Sequence, residues 1–237
     1  MKRLMPMALS LAVVFAATAV LATSAFALEL PEILPTSSVT RTWTAESEGE
    51  PQFKMLNSEH VELVVNCEKA TGEGTEEPKK PLGLFHVHLL GCHTTIGGTR
   101  VSCTDLNHLT AGEILVLGTW HLVWDRENGK EFKELTTGVL VLEELAHFTC
   151  SIVLVELKGE LLCLTLKPTE ENTTHFGHCV ANGVEQTLEW CKKDVAGKCD
   201  EPVKPKLETS ISHSTFEPSA DLGLGRVTTK EKMFADI

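Results

Sequence analysis

Eight cysteines limit what this chain can fold into more than any other feature of its sequence: Cys67, Cys92, Cys103, Cys150, Cys163, Cys179, Cys191 and Cys199. All of them follow a segment with the pattern of an export leader. Lys2 and Arg3 give a basic start, Met7 to Leu21 is an apolar run, and Ala25-Phe26-Ala27 supplies a small-x-small cleavage signal. The run falls short of the roughly 20 residues that a membrane-spanning helix needs, so residues 1–27 read as a signal peptide removed after Ala27. An even number of cysteines in an exported chain reads as a disulfide framework, and no C-x-x-C spacing is present to suggest a zinc ribbon or a redox pair. Sequence alone cannot choose among the many pairings. Two are favoured by local turn signals: Cys92 with Cys103 across Ile96-Gly97-Gly98-Thr99, and Cys191 with Cys199 across Ala196-Gly197-Lys198.

Removal of the leader leaves 210 of the 237 residues, enough for one all-β domain with its own core. Hydrophobic residues at 42% and charged residues at 23% fit a globular chain and exclude disorder and collagen. The net charge of −12 and the lack of any Lys/Arg cluster longer than a pair argue against nucleic acid as a partner. No later segment is long and apolar enough for a membrane span.

Periodicity then divides the mature chain. Residues 28–58 hold three prolines and one short alternating stretch, Val39 to Thr44, and read as an exposed lead-in with an edge strand. Residues 59–168 read as a β domain. Val61, Leu63 and Val65 alternate toward Cys67, Phe85, Val87 and Leu89 alternate with His86 and His88, and Gly112 to Trp124 is apolar on both parities, as in a central strand. Leu135 to Leu142 and Phe148 to Leu157 are further strand candidates, and Lys158-Gly159 reads as the turn of a tight hairpin. Glu68 to Pro81, with its Gly, Glu, Lys and Pro, reads as a solvated loop. Helical composition occurs only at Val184 to Lys192. Residues 169–237 read as a disulfide-tied extension with candidate strands at Leu207 to Phe216 and Arg226 to Phe234. Strands at about ten-residue spacing indicate an all-β, antiparallel β-sandwich or β-barrel with disulfides and a Cys-containing C-terminal appendage.

The region from about 60 to 166 resembles a group of uncharacterised secreted proteins of actinobacterial type. The resemblance is carried by Val61-Glu-Leu-Val-Val-Asn-Cys67 with Gly72-Glu-Gly74, Phe85-x-Val-x-Leu-x-Gly91-Cys92, Cys103-Thr104-Asp105, Ala111-Gly112-Glu113-Ile114, Phe148-x-Cys150 and Val155-Glu-Leu-Lys-Gly159. It covers about half of the mature chain and implies a secreted β domain. It brings no catalytic residue with it.

Three constellations could carry chemistry. His86 and His88 lie at i and i+2 on one strand face, so a third imidazole from His121 or His147 would complete a metal site. The competing reading is a solvent face opposite Phe85 and Val87. His175-x-x-His178-Cys179 has metal-like spacing, but Cys179 in an exported chain is expected in a disulfide. Gly118-Thr119-Trp120 resembles the Gly-x-Trp of lipocalin-like barrels yet sits midway along the chain, where a core Trp is the simpler reading. No G-x-S-x-G, H-E-x-x-H or S-x-x-K with K-T-G occurs. The sequence therefore points to a secreted structural or binding β domain, non-catalytic, with no cofactor, its partner extracellular or in the envelope. The alternatives are an extracellular metal-dependent enzyme or metal-binding protein using His86 and His88, and a small-ligand barrel.

Overall fold

Alternation with a period of two gives each strand one inward and one outward face, and how those faces close on one another is the central fact of this fold. The computed structural model describes residues 32–34, 38–57, 59–78, 80, 82–107, 110–127, 136–142, 146–166, 172–179, 181–182, 184–191 and 202–236. The leader and Cys199 lie outside the described residues. All regular elements described are β-strands, joined by antiparallel ladders. No helix among the described residues is long and apolar enough to cross a membrane.

Apart from the short outlying strand β1 (Glu32–Leu34), the strands form eight staves. The first is β2 (Arg41–Ser47) above β3 (Gln52–Leu56), and the second is β5 (Lys69–Glu76) above β4 (Glu62–Asn66). Next come β6 (Leu82–Leu90) above β7 (His93–Ile96), and β9 (Ile114–Glu127) above β8 (Thr99–Asp105). β10 (Thr136–Leu142) stands above β11 (Ala146–Cys150), and the sixth stave is the single long strand β12 (Val153–Leu166). The seventh is β13 (Asn172–Cys179) above β17 (Leu207–Ile211), and the eighth is β18 (Glu217–Asp236), again one strand. The upper halves close into a ring, β2-β5-β6-β9-β10-β12-β13-β18 and back to β2. The lower halves close as β3-β4-β7-β8-β11-β12-β17-β18 and back to β3. The fold is therefore a barrel rather than a sandwich, with two rings sharing β12 and β18.

The lower ring is filled. Phe53, Met55, Val65, Phe148, Val155 and Leu157 point inward and are at most 6% exposed. Its hairpins turn tightly. Gly97 and Gly98 both take positive φ between Ile96 and Thr99, and Ser151 does so between Cys150 and Val153. The left-handed Ser151 splits the apolar run Phe148 to Leu157, which the sequence presents as one strand, into β11 and β12.

Several expectations are corrected. Lys158-Gly159 is no hairpin: β12 runs straight through, and Gly159 at φ +109° marks where it leaves β17 and passes into the upper ring. Glu68 to Pro81 is mostly strand β5, whose inward positions are Gly72 and Gly74. A Cβ on Gly74 would stand 2.1 Å from Trp43 Cζ2, so the missing side chains make room for an indole. The lead-in supplies β2 and β3, and β2 is ladder-bonded on both sides, to β18 and to β5. The candidate helix at Val184 to Lys192 holds two strand pieces, β15 (Glu185–Gln186) and β16 (Leu188–Cys191). β15 pairs with β14 (Ala181–Asn182), and β16 lies along the end of β9.

The disulfides are Cys67–Cys92, Cys103–Cys150 and Cys163–Cys179. Cys191 is also disulfide-bonded, while its expected partner Cys199 is outside the described residues. Cys92 and Cys103 are brought together by their turn, as the Cys103 N–H donating to Cys92 O at 2.9 Å shows, but each bonds covalently to another strand. Cys103 and Cys150 are register partners in the lower ring, Cys163 and Cys179 in the upper, and Cys67–Cys92 crosses the waist between them. One gap in the wall remains beside Glu160 to Leu162, between the ends of β13 and β17. Gln186 fills it: its Nε2 donates to Glu160 O and its Oε1 accepts from Leu162 N, both at 2.8 Å.

Gly159→Ala is expected to cost on the order of 3 kcal/mol in urea denaturation, because the new Cβ would meet Lys206 O at 2.1 Å and the left-handed backbone adds strain. Gly97→Ala carries the strain without any contact and should cost about 1 kcal/mol.

Candidate functional site

Ladder register decides which of the sequence-derived candidates share a face. Directly opposed residues in antiparallel strands point the same way, so His86 looks outward with Glu73 and Leu117, and His88 with Thr71 and Leu115. His88 Nδ1 lies 2.8 Å from Glu113 Oε1. His121 pairs with Leu82, four residues along β6 from His86 and so about 13 Å away. His147 pairs with Glu156 in the lower ring. The four imidazoles do not converge. Among the described residues no group of three His, Cys, Asp or Glu is placed to hold a metal ion. His175 and His178 also part company, since His175 opposes inward Val227, His178 opposes Leu224 on the other face, and Cys179 is bonded to Cys163.

Outward-facing Thr42, Thr44, Glu73, Thr75, Leu84, His86, Thr228 and Lys230 line a half-open groove of about 540 Å³ over β18, β2, β5 and β6. Leu84 at its edge is 57% exposed.

The inward face of the same strands is more distinctive. Phe85, Trp120 and Leu122 are buried there, with Trp43, Val87 and Val116 packed beside them. Trp120, from the Gly118-Thr119-Trp120 segment, donates its indole N–H to Thr75 O at 2.9 Å, and Gly83 beside it leaves room for the ring. Across the ring the inward positions of β13 and β18 include Gly177, Gly223 and Gly225. A Cβ built on Gly177 or Gly223 would meet nothing within 4 Å, and one on Gly225 only main-chain oxygens at 3.9 and 4.0 Å. In a packed barrel such positions are in contact with the opposite wall. Inward Trp43, Ala45, Val87, Val116, Gly225 and Val227 are only half-buried, whereas their counterparts in the lower ring are sealed. Among the described residues, the upper ring leaves open space beside Gly177 and Gly223, and part of its inward face is reached by solvent.

At the end of the upper ring far from the waist stands an ion pair that sequence reading missed. Arg41 opposes Glu76 in the ladder, with Nη1 3.6 Å from Glu76 Oε2 and Nε 3.4 Å from Glu231 Oε2. Glu76 is 4% exposed, and no described residue donates a hydrogen bond to its Oε2. Burial pushes its carboxyl above the ordinary 4.5; the guanidinium of Arg41 opposes that shift and Glu231 adds to it. The signal available in the sequence was glycine at period two, Gly72-x-Gly74 and Gly223-x-Gly225, which marks an inward stripe without side chains.

No protein-family model, no curated protein and no solved structure matches the chain.

Because the folded pKa of Glu76 is raised, the unfolded chain gives up this proton first as pH climbs past about 4.5, and ionisation then costs folding free energy until the folded pKa is passed. Below the unfolded value the group is neutral in both states and the cost vanishes. The stability of the wild-type chain relative to Glu76→Gln, read from urea midpoints, should therefore fall as the pH rises above about 4.5.

Proposed function

We propose that this protein is an exported, non-catalytic binding protein that takes a small, largely apolar ligand into the upper half of its barrel. The observation that carries the reading is the contrast between the two rings. They share the same eight staves, yet one is packed with large side chains and the other combines a glycine stripe on β13 and β18 with Trp43, Phe85 and Trp120. Eight-stranded barrels have an interior that side chains just fill or that holds one small ligand, and this chain supports both outcomes in its two halves. Export is supported by the leader and by the disulfides, which persist in oxidising compartments. Metal-dependent chemistry at His86 and His88 has less support, because His121 and His147 stand apart from them.

The test is titration with the neutral apolar fluorophore N-phenyl-1-naphthylamine, reading its emission and the quenching of tryptophan. Gly223→Val and Gly225→Leu fill the lumen from residues without positive φ, so the backbone accepts them. Each should weaken binding about tenfold or more, a loss of about 1.4 kcal/mol. Leu84→Glu in the outer groove should leave binding unchanged. Probe affinity that survives both lumen-filling variants and falls with Leu84→Glu would move the site to the outer face.

A further inference from the structure

We infer that the ligand of this chamber carries a protonated amine, held at the upper end by Glu76; this rests on the reading of the upper ring as a ligand chamber. Glu76 occupies an inward ladder position, opposite Arg41 and two pairs above Gly74 and Trp43, at the head of the aromatic wall. It is almost wholly buried, and its Oε2 receives no hydrogen bond from a described residue. A buried carboxylate oxygen normally has a donor, and one left without is costly. Among the described groups, the guanidinium of Arg41 is shared between two carboxylates, those of Glu76 and Glu231.

An ammonium head donates to Oε2 through a charge-assisted bond. Below it an apolar tail would run between Trp43, Phe85 and Trp120 and the glycine stripe. A hydroxyl head supplies the donor but not the charge. A carboxylate head brings a further negative charge to the same place. The ligand class that fits is a primary amine on a slender hydrophobic body.

Displacement of the bound fluorophore by octylamine, 1-octanol and octanoate separates these cases. Octylamine is expected to bind about tenfold or more tightly than octanol, and octanoate least of the three. Glu76→Gln should bring octylamine to the affinity of octanol while leaving octanol itself unchanged, a pattern that loss of folding would not produce. Glu76→Asp, which withdraws the carboxylate by one methylene, should fall between. Equal affinities for amine and alcohol in the wild-type chain, or an amine preference that persists in Glu76→Gln, would overturn the assignment. If none of the three displaces the fluorophore, the chamber itself falls, and the amine assignment with it.

Discussion

Two strands, β12 and β18, belong to both rings, and the rest of the structure depends on their continuity. Every other stave is broken at the waist or assembled from separate parts of the chain. β18 closes each ring against strands far away in sequence, with Ser219 opposite Met55 below and Gly225 opposite Ser47 above. Closure leaves no free edge in either ring, and a barrel without edges does not offer its backbone to another chain. Ladders such as β8-β11, β9-β16 and β12-β17 also join strands that are not consecutive, but within the rings the docking of β18 on β2 and β3 spans the greatest sequence distance and so carries the largest loop-closure cost.

How much of this was legible depended on whether a strand used side chains to fill space or left space for others. β4, β6 and β9 fill space, and their alternation is plain: Val65, Phe85, Val87, Trp120 and Leu122 all point where period two predicts. β5 and the upper part of β18 leave space. Their inward glycines carry no hydrophobic signal, so Glu68 to Pro81 reads as a loop although it is a stave. Gly159 misled in the opposite direction, because a glycine that permits a strand to shift between rings looks the same in sequence as one that permits a turn. The cysteines show a related limit. A turn brings Cys92 and Cys103 together, yet each sulfur goes to a strand that only the closed ring sets beside it. His86 and His88 do share a face, as their spacing requires, but the position of His121 is set by a register that no local pattern reveals.

The division of labour between the rings follows from the same account. The sealed lower ring, with Phe148 and Val155 at its centre and Cys103–Cys150 tying two of its adjacent strands, supplies burial that the upper ring gives up. The Cys67–Cys92 bond joins the two at the waist, and Cys163–Cys179 braces the more open upper half. A cavity costs stability through lost contacts, so a less filled ring is tolerable when it shares its staves with a filled one.

Gln186 gives the wall a stitch where a strand would otherwise be a seam. A ladder strand comes away residue by residue, with each step breaking main-chain bonds and exposing the next, whereas the amide of Gln186 is held by two bonds to Glu160 and Leu162. Beside β12, therefore, the barrel wall is closed by a buried side chain instead of a ladder, and the two neighbouring strands end without having to meet.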